Sequence, residues 1–158
     1  MSVLHFFAWC EHSAVGGAIR TSNWLFPVIE AFHLLGLAVI GGAVLVVDLR
    51  LFGIGLRRQP VAQLARDAQP WLIASLMVMV ATGSLMFMSE AIKCYYHPAF
   101  WVKMTSLVLA IVFTFTVHKK VVMDDEARIG PLWSKLVALV SVMLWSGVGI
   151  GGRWIGFS

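Results

Sequence analysis

Glu30 and His33 are ionisable residues inside an otherwise apolar run from Trp24 to Val47. Three residues is about one helical turn, so both lie on one face of a helix. In hydrocarbon an ionisable side chain is costly and marks function by default. Three chemistries suit the pair. A neutral imidazole ligates haem iron. A Glu-x-x-His pair can hold a metal or relay protons, although a di-iron bundle needs a second copy that this sequence lacks. The imidazole can also be a structural group, held by Glu30 or by a Ser or Thr of another helix. A carboxyl group at Glu30 could in addition exchange a proton with a quinone.

His118 is the second candidate ligand, followed by Lys119 and Lys120. It can equally be an interfacial histidine beside lysines. By helix rise it differs from His33 in depth by on the order of 15 Å, so one iron does not easily take both; two haems on opposite leaflets, or one haem and a structural histidine, would suit this spacing. Further nitrogens on the outer side, near the depth of His33, are His97, His12 and His5; on the inner side, near His118, Met77 and Met79 offer sulfur, though core packing is the simpler role for them. Cys10, His12, Cys94 and His97 make a two-cysteine, two-histidine set that could bind zinc or copper. Alternatively the two cysteines form a disulfide, or stay as thiols. Asp48 and Arg50 read as a neutralised pair anchoring a helix end. Hydrolase, Walker and dinucleotide motifs are missing from the sequence.

These residues need helices to hold them in a membrane. The chain is 59% hydrophobic and 13% charged, where a soluble domain has nearly twice that share of charge. Four stretches are long and apolar enough to cross about 30 Å of hydrocarbon: about 24–47, 71–89, 100–118 and 132–152. Lys103 and Lys135 fall in first turns, from which they can snorkel. Pro70, Pro98 and Pro131 stand at or just before spans, and Trp24, Trp71, Trp101, Trp133 and Trp154 form an aromatic belt. Residues 60–69 suit a short amphipathic helix. Residues 2–16 lack the basic start of an export signal and suit a helix in the membrane interface. The expected fold is an all-α four-helix transmembrane bundle with a short N-terminal interfacial helix, in one domain.

Seven positive residues (Arg50, Arg57, Arg58, Arg66, Lys119, Lys120, Arg128) fall in the two connections on one side, against four (Arg20, Lys93, Lys103, Arg153) on the other. That bias puts those connections inside and both termini outside. The formal charge of +4 is therefore an orientation signal rather than a nucleic-acid one. Ala38 with Gly42, and Gly147 with Gly151, are small residues at helix-contact spacing, or room for a flat macrocycle.

The stretch Ile19-Arg20-x-Ser22-x-Trp24-x-Phe26-Pro27-x-x-Glu30-x-x-His33-x-x-Gly36 carries a resemblance, together with Asp48-Leu49-Arg50-Leu51-x-Gly53, Thr82-Gly83, Pro98-x-Phe100-x-x-Lys103 and His118. It resembles small four-span bacterial inner-membrane proteins similar to the copper-resistance D and b-type cytochrome superfamily. The resemblance implies haem b between helices, with His33 and His118 as ligands by position; two-haem cytochromes of that superfamily carry four transmembrane histidines, and this chain has two. The function expected is electron transfer between a periplasmic partner and quinone, as one subunit of a membrane redox complex or a homo-oligomer, in the bacterial inner membrane. The alternatives are a metal or proton transporter using Glu30 and His33, and an assembly subunit without chemistry.

Overall fold

A computed structural model describes residues 3–55, 58–123 and 130–155. Ser2 of the expected interfacial helix, and Arg57 and Arg128 of the charge count, lie outside the described residues. The fold is all-α. Its elements are α1 (Val3–Glu11), α2 (Ala14–Thr21), α3 (Leu25–Leu51), α4 (Val61–Ser89), α5 (Ala91–Tyr96), α6 (Pro98–Phe113), a π turn (Thr114–His118), α7 (Lys119–Met123) and α8 (Pro131–Ile155). Four helices are long and apolar enough to span: α3, α4, the continuous stretch Pro98–Met123, and α8. At 1.5 Å per residue each exceeds about 35 Å. Backbone polar groups in lipid must be satisfied within the chain, which is why these apolar segments are helical throughout.

The spanning helices pack as two pairs, α3 with α4 and α6 with α8, joined where α3 meets α8. Their outward faces expose Phe32, Leu35, Met77, Val108, Met143 and Ile150, a surface suited to lipid. The five tryptophans expected as a belt are all exposed. One end of the bundle is covered by α1, α2 and α5 (the cap end). The other holds the end of α3, the start of α4, α7 and the start of α8 (the loop end).

Three expectations about elements change. The amphipathic 60–69 segment and the second span form one helix, α4, with Pro70 inside it. Val61, Leu64, Leu72, Ser75 and Met79 form one buried stripe along it, and that shared face outweighs the backbone bond lost at Pro70. The expected helix over 2–16 is two helices. Ser13 ends the first by capping the second, its side chain accepting from Gly16 N at 3.2 Å. Gly16 lets α2 lie against α4, since a Cβ there would run into the Met88 carbonyl. Finally α3 runs on to Leu51 and closes in a Schellman motif. Gly53 takes φ 82°, Ile54 N donates to Leu49 O at 2.9 Å and Gly53 N to Arg50 O at 3.0 Å.

Candidate functional site: a cavity at the cap end and a buried pair at the loop end

α3, α4, α6 and α8 enclose a cavity of about 110 Å³ in the cap half of the bundle, lined by Glu30, His33, Met86, Lys103 and Arg153 among apolar neighbours such as Leu37 and Val148. Glycines build it. A Cβ at Gly83 of α4 would meet His33 Cε1 at 3.2 Å, so α4 presents a flat face to the ring. A Cβ at Gly151 of α8 would meet Lys103 Cβ at 3.2 Å, and one at Gly152 would meet Lys103 Nζ at 3.4 Å. The lysine stem therefore lies along the α8 glycines and carries its ammonium to the cavity.

His33 is 8% exposed. Its Nδ1 lies 2.9 Å from Thr82 Oγ1. The Thr82 hydroxyl already donates to Val78 O at 2.6 Å. With its proton on Val78 O, the hydroxyl accepts from His33, and in that tautomer Nδ1 carries the ring proton and Nε2 does not. The expected structural partner, a Ser or Thr of another span, is Thr82.

At the loop end His118 Nε2 lies 2.8 Å from Asp48 Oδ1, and Asp48 is wholly buried. His118 is the last residue of the π turn, which adds a residue to the third span. Asp48 Oδ2 has no partner among the described residues. The expected Asp48–Arg50 anchor gives way to two other contacts. Residues two apart on a helix do not face each other; Asp48 turns to His118, and Arg50 Nε donates to Gln59 O at 3.0 Å. This pair is the feature sequence reasoning missed. Its one signal was depth, since Asp48 and His118 each stand a few residues from the same ends of their spans.

His33 and His118 are not brought together. Fifteen residues of α3 separate His33 from the level of Asp48, about 22 Å of rise. Between the two levels sits an apolar cluster that includes Ile40, Val44, Trp145 and Val148. A transport path would have to part that plug. The expected outer metal set also fails to assemble. Cys10 and Cys94 share an apolar cluster, but His12 is exposed and His97 caps α6, its Nδ1 accepting from Ala99 N at 3.2 Å. Among the described residues no group of three or more His, Cys, Asp or Glu side chains could hold a metal ion. Of the small-residue pairs, Gly147 and Gly151 take up α6, with Ser106 and Lys103 against them, whereas Gly42 meets nothing within 4 Å.

Haem fits this arrangement poorly. His33 meets one requirement, an Nδ1 held by Thr82. His118 does not, because its Nε2 is committed to Asp48. The space beside His33 is also on the scale of a single six-membered ring, for which a cavity of about 150 Å³ suffices; a macrocycle needs several times more.

A family model for a family of unknown function (DUF6644) matches residues 6–158, so the chain belongs to that family. No curated protein and no solved structure matches the chain.

Proposed function

Taking the chain as a member of that family, we propose that it is a membrane-embedded redox subunit that binds a quinol or quinone headgroup in the cap-end cavity. It would pass electrons between that headgroup and a redox partner at the outer face. The observation that carries the reading is the convergence of His33, Lys103 and Glu30 on a ring-sized, mostly apolar cavity. Few precisely placed polar groups in an apolar pocket is how small-molecule sites are built. The cap end is taken as periplasmic from the charge bias of the connections.

Each residue has a distinct part. His33 Nε2 accepts a hydrogen bond from a quinol hydroxyl and takes its proton as electrons leave. The Lys103 ammonium donates to the ring oxygen opposite and favours its negative charge. Glu30, one turn from His33 and half-buried, relays the proton toward the surface. Leu37 and Val148 keep bulk water off the ring. Two electrons and two protons leave a quinol: the partner's redox centre takes the electrons, one proton leaves through His33 and Glu30, and the opposite hydroxyl releases the other to water at the outer mouth as Lys103 stabilises the oxyanion left behind.

The test is titration of the purified protein in lipid nanodiscs with a short-chain quinone, read by tryptophan fluorescence, beside an absorption spectrum after dithionite. Saturable binding is expected, weakened at least tenfold in His33→Ala and in Lys103→Met, with no α or Soret bands. Absence of binding at millimolar quinone would remove the reading. Haem bands lost in His33→Ala would replace it with the b-type cytochrome expected from the resemblance.

A further inference from the structure

We propose that Cys10 and Cys94 are joined as a disulfide in the native protein, fastening α1 to α5 across the cap. Both cysteines are free thiols in this structure, buried at 6% and 9% exposure in one apolar cluster with Phe7 and Ala91. Contacts on either side set the register of the two helices. Glu11 Oε2 accepts from Ile92 N at 2.7 Å. The Phe7 ring meets the Tyr95 ring edge-on, with centroids 5.3 Å apart. Falling numbers in α1 thus meet rising numbers in α5, so the helices run antiparallel. Cys10 stands between Phe7 and Glu11, and Cys94 between Ile92 and Tyr95. A disulfide needs Cα atoms within about 7 Å, which facing residues on touching helices reach.

The bond forms between the two sulfurs. Each thiol loses its hydrogen, and the two protons and two electrons pass to an oxidant, a disulfide-bearing exchange partner of an oxidising compartment. The inference rests on the outward orientation of the cap end and not on quinone binding. As a thiol, Cys94 is pushed up to about 11, first by burial and then by the Glu90 carboxylate. Such a thiol is a poor nucleophile, which suits a structural link rather than an exchange catalyst. The link would close a loop of more than 80 residues, where constraint of the unfolded chain is large. It would add a covalent tie to a nine-residue helix whose described polar ties run through Glu11, to Ile92 N and to Arg20 at 3.0 Å.

The experiment is thiol trapping in native membranes. Acid quenching and alkylation without reductant should leave both cysteines unlabelled, and mapping should recover a linked peptide that separates on reduction. Cys10→Ser, Cys94→Ser and the double variant should lose thermal stability by the same amount, and the double variant should keep quinone binding. Alkylation of both cysteines before reduction overturns the proposal. A mild oxidant added in detergent then distinguishes why: closure points to a wrong orientation, and failure to close points to a wrong geometry.

Discussion

At the cap end His33 rests its Nδ1 on the Thr82 hydroxyl and borders a cavity shared with Lys103. At the loop end His118 commits Nε2 to a wholly buried Asp48. The two rings are almost equally buried, at 8% and 7% exposure. What separates them is the partner. A hydroxyl that already donates elsewhere fixes a tautomer and leaves the other nitrogen available for chemistry. A buried carboxylate takes the reactive nitrogen out of use and makes the ring part of the scaffold. Burial alone therefore does not mark a functional histidine in a membrane bundle; the bonding of both ring nitrogens does.

The comparison breaks if His118 can be removed without cost. His118→Ala leaves Asp48 buried with neither oxygen satisfied, and breaking a buried pair in this way costs about 3–5 kcal/mol. Asp48→Ala leaves only a neutral imidazole short of a partner, at about 1–3 kcal/mol. Unfolding by denaturing detergent in mixed micelles should rank the two variants in that order, and the double variant should cost less than their sum. His33→Ala measured the same way should cost less than His118→Ala. Equal losses at the two histidines would mean that both are structural.

Next in size is the wall of the cavity. Gly151→Val places its side chain against Lys103 Cα and the Ala99 carbonyl, the first at 3.3 Å and the second at 3.4 Å from a Cβ. These are backbone atoms of α6 and cannot swing aside. Overpacking of this kind costs about 1–3 kcal/mol. It should also push Lys103 off its line and weaken quinone binding, which a titration of the variant would read. Stability lost with binding intact would separate Lys103 from the cavity.

A smaller effect tests the tautomer. Thr82→Val keeps the shape of the side chain and removes the acceptor of the His33 bond. The loss of one hydrogen bond is worth about 1 kcal/mol in stability. The sharper readout is nitrogen NMR of the ring, which should show Nδ1–H alone in the parent and a mixture of tautomers in the variant. An unchanged spectrum would mean that Thr82 does not set the proton position.

The sequence carried the four spans because helices in lipid need only length and apolarity, and the runs around Leu34, Met79, Leu107 and Val140 supplied both. The ends were harder to read. Pro70 reads as a boundary from sequence alone, yet a buried stripe that continues through it keeps α4 whole. Glu30 and His33 were visible as ionisable groups in lipid, and Lys103 as a first-turn lysine. Their convergence on one cavity was not visible, because it depends on which helices are neighbours. The Asp48–His118 pair was hidden for the same reason, being 70 residues apart, and Asp48 was assigned instead to the nearest charge in sequence. Thr82 and Gly83 entered only as letters in a resemblance. Their roles, an acceptor for His33 and a flat place for its ring, follow from α4 lying against α3.

The smallest prediction concerns glycines that look alike in sequence. Gly42 and Gly147 both belong to pairs of small residues four apart, and spacing alone cannot rank them. A Cβ at Gly42 would meet nothing within 4 Å, whereas one at Gly147 would meet Ser106 Oγ at 3.0 Å. Glycine inside a helix is less favourable than alanine by about 0.8–1 kcal/mol. Gly42→Ala should therefore raise stability by up to about that amount, since the added methyl faces open space. Gly147→Ala gains the same propensity but must move Ser106, so its net change should be near zero or unfavourable. The same detergent-unfolding measurement reads both variants. A destabilised Gly42→Ala would mean that this face of α3 is covered in the membrane by another chain, and the contrast between the two glycines would then lie in what packs outside the bundle.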